Sequence, residues 1–152
     1  MTTNTAELAQ ITRQSLAALT RAAKELGDKI IWRPLDKGRS ALDQLQEVAG
    51  MAVFGKMIFE TQTVPAMGRE TFEQFRAEYD TPEKVFAVLE KAGEEYAQAI
   101  EALPEEKLTH VVTLPFGGGM KKTLAEFALL NYWNTVYHEG QINYIQTLCA
   151  EE

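Results

Sequence analysis

The sequence predicts an all-α chain folded as a four-helix bundle in a single domain spanning residues 1–152. Three observations lead there. Four long stretches carry apolar residues at helical spacing, capping or breaking residues bound them, and one short segment alone has the composition of extended structure.

The first helix is predicted from about Thr5 to Leu26. Ile11, Leu16, Leu19 and Ala23 share one face, and Gly27-Asp28 supplies the stop. A connector follows, in which Pro34 forces Arg33 away from helical backbone and Gly38 offers a turn. The second helix runs from about Ser40 to Glu60. Leu42, Leu45, Ala49, Ala52 and Val53 form one apolar stripe, while Met51, Phe54 and Ile58 form another. Two stripes imply burial on two sides, one against the core and the other against a site or a partner subunit.

A loop with Pro65 and Gly68 leads into Thr71–Tyr79, which reads as a short helical piece. Thr81-Pro82-Glu83 then has the pattern of an N-cap, a proline at the first helical position and an acidic first turn. That third long helix continues to about Leu103, where Pro104 ends it, with Val85, Val88, Leu89, Ala92 and Tyr96 on its inner face. Residues Leu108–Gly119 predict a short extended piece or hairpin. The triple glycine lacks the spacing of a phosphate-binding loop. The fourth long helix is predicted from Thr123 to Cys149, opening on a Thr123/Glu126 capping box, with Lys121-Lys122 as its solvated start.

Composition narrows the function. The hydrophobic content is 45% and the charged content 24%, which excludes a disordered chain. The apolar run near Met51–Phe59 is too short to span a membrane, and Lys56 interrupts it. The opening Met1-Thr-Thr-Asn-Thr carries no basic segment followed by an apolar run, so no secretory leader is expected. Net charge is −7, and neutralising nucleic-acid phosphates needs a basic surface, so nucleic acid is not an expected partner. The lone Cys149 excludes an internal disulfide and suits a reducing cytoplasm; it reads as an inert part of the last turn.

The most informative feature lies on the fourth long helix. At 100° per residue, Asn131, Thr135 and His138 fall within about 60° of the apolar stripe formed by Leu124, Phe127, Ala128, Ile142 and Ile145. Asn134 and Gln141 flank it. Burying such groups costs free energy unless each finds a partner, so this face calls for a hydrogen-bond network, a wet pocket or a metal. Asn134 and His138 are neighbours at helical spacing, where a pair of side chains can hold one metal ion. Glu47 heads the second stripe of the second helix and is the third candidate. It can ligate a metal, hold the His138 imidazole by a hydrogen bond, or reach solvent. The structural alternative is a satisfied core histidine bonded to Glu47 or Gln141. Trp133, Tyr137 and Tyr144 form a separate stripe that suits packing or an interface. His110 falls in the extended segment and is expected to be exposed.

At these residues the chain resembles the DinB family and the related DinB/YfiT-like metalloenzymes. The resemblance covers almost the whole chain. It rests on Tyr137-His-Glu-Gly-Gln-Ile-Asn-Tyr-Ile-Gln-Thr-Leu148, similar to the family's H-x-G-Q-[I/L] helix, and on Trp32-x-Pro34 leading to Arg39-Ser40. It implies an up-down-down-up four-helix bundle, often a homodimer, with a metal site of three histidines. One lies on the second helix and two form H-x-x-x-H on the last. In this chain those positions are Glu47, Asn134 and His138, so one histidine is kept. The resemblance also implies thiol-dependent transferase chemistry using bacillithiol, mycothiol or glutathione, in which a divalent metal turns a bound thiol into a thiolate.

The expectation is therefore a DinB-like bundle whose metal position is altered, leaving a pocket of Glu47, Asn131, Asn134, Thr135, His138 and Gln141 with a ligand-binding or stress-related role. The alternative is a metal-dependent thiol S-transferase or hydrolase holding one divalent ion (Zn, Ni or Fe) on Glu47, Asn134 and His138. A third reading is a structural homodimer with the second stripe of the second helix (Met51, Phe54 and Ile58) as its interface. The expected partners are a second copy and a small molecule or thiol.

Overall fold

The computed structural model describes residues 4–150. Met1 to Thr3, read above for a leader, lie outside the described residues. The chain is mostly helical, with one small two-stranded sheet. The helices are α1 (Thr5–Lys24), α2 (Ala41–Thr61), α3 (Arg69–Glu78), α4 (Pro82–Ala102) and α5 (Leu124–Cys149). The strands are β1 (Val111–Thr113) and β2 (Lys121–Thr123). The third and fourth long helices of the sequence are thus α4 and α5.

Local chemistry sets the boundaries. Asn4 caps α1 by accepting from the Glu7 amide at 2.8 Å. Ser40 and Asp43 form a reciprocal capping box on α2, and Arg33 pairs with Asp43 at 2.7 Å. Thr81 caps α4, whose first residue is Pro82. The Thr123/Glu126 capping box opens α5, as its sequence predicts. Arg33 has extended backbone (φ −116°, ψ 123°), the conformation that the following proline enforces.

Two expectations are corrected. Lys121 and Lys122 do not begin the last helix; they form β2 and pair with Thr113 and Val112 of β1. Lys121 is exposed and Lys122 half-buried, so the helix starts only after Thr123. The second stripe of α2 does not form a separate surface. Phe54 and Ile58 are fully buried in the core, and Met51 alone reaches a cavity wall. The reason is that α2 is covered on two sides, by α4 and by α5, so both stripes face protein.

The long helices pack as two pairs on two. Both α1 and α2 lie against both α4 and α5. The buried apolar residues fall into two clusters. One gathers Leu8, Phe54, Phe59, Tyr96, Ile100 and Phe127, with aromatic rings meeting edge to face. The other gathers Leu19, Leu45, Val85, Leu89, Ile142 and Ile145. Between them along the chain lies a band of buried polar residues: Thr12 and Ser15 on α1, and Asn131, Thr135 and His138 on α5.

Gly55 shows how tightly the first cluster is packed. A Cβ at Gly55 would stand 2.7 Å from the Tyr96 ring, which is 2% exposed and cannot retreat. Alanine usually stabilises a helix interior by about 1 kcal/mol over glycine, whereas overpacking a core costs about 1–3 kcal/mol. Gly55→Ala is therefore expected to destabilise the protein by about 1–2 kcal/mol in urea unfolding. A gain in stability would show that Tyr96 does not press on α2.

Candidate functional site

Arg39, at the end of the connector, and the first half of α2 position one side of the site; α5 positions the other. Gln44 and Glu47 are one helical turn apart on α2 and so share a face. His138 faces them from α5 and is 2% exposed. Its Nε2–H donates to Glu47 Oε1 at 3.0 Å. Its Nδ1 lies between the side-chain amides of Gln44, at 3.0 Å, and Gln141, at 2.9 Å. A side-chain amide carries both a donor and an acceptor, so these two can satisfy Nδ1 with or without its hydrogen. The other oxygen of Glu47 accepts an ion pair from Arg39 Nη2 at 2.7 Å.

The result is a hydrogen-bonded chain running Arg39–Glu47–His138, closed at the ring's other nitrogen by two glutamines. The hydrogen bond from His138, aided by Arg39, holds the Glu47 carboxyl down to about 2, against the desolvation that opposes it. Glu47 is thus a permanent anion at neutral pH and a poor proton acceptor.

The site residues named from sequence divide into three places. Glu47, Asn131 and Asn134 line a cavity of about 630 Å³ between α2, α3, α5 and the hairpin loop. His138 bonds Glu47 without lining the cavity itself, and Gln141 in turn bonds the other nitrogen of its ring. Thr135 faces inward, where Thr12, Ser15, Tyr96 and Asn131 also border a small void of about 10 Å³. Thr135 donates to the Asn131 carbonyl at 3.0 Å, and Asn131 donates to the Met51 carbonyl at 3.4 Å. The Tyr96 hydroxyl is buried and, with Asn131 as its polar neighbour, makes no hydrogen bond of good geometry among the described residues; burial pushes its pKa up. The void beside it is about the size of one water molecule.

Of the rest of the cavity, the sequence marks only Met51 for a site, as part of the second α2 stripe expected to face a site or a partner. Phe72, Arg69, Glu73 and Arg76 come from α3, Phe116 and Met120 from the hairpin loop, and Met51, Leu130 and Trp133 from α2 and α5. In the sequence Arg39 stands out only as part of the Arg39-Ser40 motif, and Gln44 is not among the candidates. Gln44 had a usable signal, because it sits one turn before Glu47 on the same face. The α3 residues had none, since nothing in a short polar helix says which neighbour it will cover.

The metal implied by the resemblance can be tested against these donors. Glu47 and His138 face each other at hydrogen-bond distance, and Asn134 lines the cavity near Glu47. Among the described residues no three His, Cys, Asp or Glu side chains gather. Arg39 already supplies the positive charge that a metal would bring to Glu47, and an asparagine oxygen is a weak ligand for Zn, Ni or Fe. These side chains fit a hydrogen-bonded ion cluster better than a transition-metal centre. His110 is exposed, as expected, and its Nε2 meets the Gln62 carbonyl at 3.1 Å. Trp133, Tyr137 and Tyr144 lie on the outer face of α5, and Cys149 is a half-buried free thiol.

In comparisons with known proteins, no family model and no curated protein matches the chain.

Proposed function

We propose that this protein is a DinB-like four-helix bundle, up-down-down-up, that binds a small molecule in the cavity beside Glu47 and no longer depends on a metal there. The helix pairings support the topology. Glu47 and Met51 of α2 meet His138 and Asn131 of α5 in reverse order, so those helices run antiparallel. Glu25 near the end of α1 meets Gln146 near the end of α5, while Lys24 meets Phe86 at the start of α4.

One observation carries the ligand-binding reading. An apolar-walled cavity of about 630 Å³ opens where the polar band reaches the surface, and its size lies in the range of small-molecule sites. Glu47 and Asn131, both held by hydrogen bonds, give it a polar wall already fixed in place, which lowers the ordering cost of binding. A metal-dependent transferase or hydrolase at the same position is the weaker reading, because Arg39 competes for Glu47.

The test is a thermal-shift screen of small molecules against the protein and Leu130→Trp, which fills the cavity. The expected result is at least one compound that raises Tm by several degrees and loses that effect in the variant. A screen with no such compound would count against ligand binding.

A second reading, a homodimer through α5, is favoured by a separate observation. Leu129, Trp133, Val136, Tyr137 and Tyr144 are all more than 40% exposed or at that level on the outer face of this helix. Trp133 and Tyr137 stack on one another, and Gly140 leaves open space between them and Tyr144. Aromatic clusters of this kind are typical of interface cores. Light scattering at micromolar concentration is expected to give twice the chain mass of 17.0 kDa, and a monomeric mass would remove the reading.

A further inference from the structure

We infer that the cavity selects an amphiphilic monoanion, an apolar body ending in a carboxylate or similar group, with Arg76 as the group that recognises its charge. The inference rests on the ligand-binding reading and goes beyond it by naming the ligand's chemistry.

The charges on the cavity wall can be paired off. Glu47 is neutralised by Arg39 at 2.7 Å and bonded by His138. Arg69 pairs with Glu73, also at 2.7 Å. That leaves Arg76, which has no ion-pair partner among the described residues although the molecule as a whole carries a net charge of −7. An unpaired guanidinium beside a cavity offers a planar set of donors suited to a carboxylate. Asn134 lines the same cavity, and its side-chain amide makes no hydrogen bond among the described residues, so it is free to donate as well.

The position of Arg76 is fixed by its helix. The Gln46 side-chain amide, on α2, donates to the carbonyls of Tyr79 at 2.7 Å and Arg76 at 3.4 Å. Phe72 of the same helix seats on Gly50, where an added Cβ would stand 3.3 Å from its ring. These contacts tie α3 down at both ends of its inner edge and hold the Arg76 backbone at the lip. The remaining wall is apolar: Met51, Phe72, Phe116, Met120, Leu130 and Trp133. An apolar enclosure with one surplus cation favours a ligand with one anionic end.

Three probes with a common ten-carbon chain test this by calorimetry at low salt: decanoate, decanol and decyltrimethylammonium. Decanoate is expected to bind at least tenfold more tightly than either of the others. Arg76→Gln is expected to reduce decanoate to the affinity of decanol and leave decanol unchanged, while Arg76→Lys restores part of the preference. Arg76 is exposed, so neither substitution threatens folding. Equal binding of all three probes, or a preference for the cation, overturns the anion assignment and leaves the cavity as a binding site. Binding by none of them overturns the assignment and the ligand-binding reading together.

Discussion

Replacing His138 by alanine is expected to destabilise the protein by about 3 kcal/mol, more than any surface substitution. The ring is 2% exposed, so its removal leaves a hole that water cannot readily repair. It also strips partners from three side chains at once. Glu47 loses its hydrogen bond on Oε1, Gln141 loses its bond to Nδ1, and Gln44, itself 2% exposed, is left with a buried amide whose only side-chain bond among the described residues was to the ring. Leaving buried polar groups unpaired costs about 1–3 kcal/mol each, with neighbouring losses overlapping. In a chain of 152 residues, 3 kcal/mol corresponds to a fall in Tm of about 10 °C. Calorimetry of purified His138→Ala checks this. A loss below about 1 kcal/mol would mean that the ring is not the centre of the polar band.

Acid is expected to act through the partner of that ring. The Glu47 carboxyl is held at about 2 in the folded protein against 4.5 in its free state. A carboxyl depressed on folding contributes stability above its unfolded value, and that stability is lost as pH falls through the folded value. The window is therefore from about pH 4.5 down to about pH 2. Allowing for partial exposure of the side chain, the contribution is about 2 kcal/mol. Glu47→Gln isolates it from the other carboxylates, which titrate in both proteins. The variant should be less stable by about 2 kcal/mol at pH 7, and the gap should close near pH 2. A gap that stays constant with pH would show that Glu47 is not bound as a charge.

Both expectations concern the polar band, and the sequence located much of it. The helical wheel of α5 put Asn131, Thr135 and His138 on the inward face, and all three are buried. That step is reliable because a helix repeats every 3.6 residues, so a face is defined by spacing alone. Glu47 stood out for a related reason, as an acid at the head of an apolar stripe. What spacing could not supply was the sorting of these residues. His138 and Gln141 do not line the cavity, Thr135 turns toward the interior, and only Glu47, Asn131 and Asn134 reach the cavity. Positions that differ by a fraction of a turn on a wheel can face different neighbours, and the neighbours belong to other helices.

By itself, then, the sequence determined the long helices, the caps of α4 and α5, the extended segment before α5 and the inward polar face of α5, because those depend on contacts between residues a few places apart. Tertiary packing alone decided that Lys121-Lys122 completes a hairpin, that Phe54 and Ile58 enter the core, and that α3 and the hairpin loop wall a cavity with Arg76 at its edge. Those outcomes join residues distant in the chain, and no local rule encodes which surfaces will meet when the helices come together.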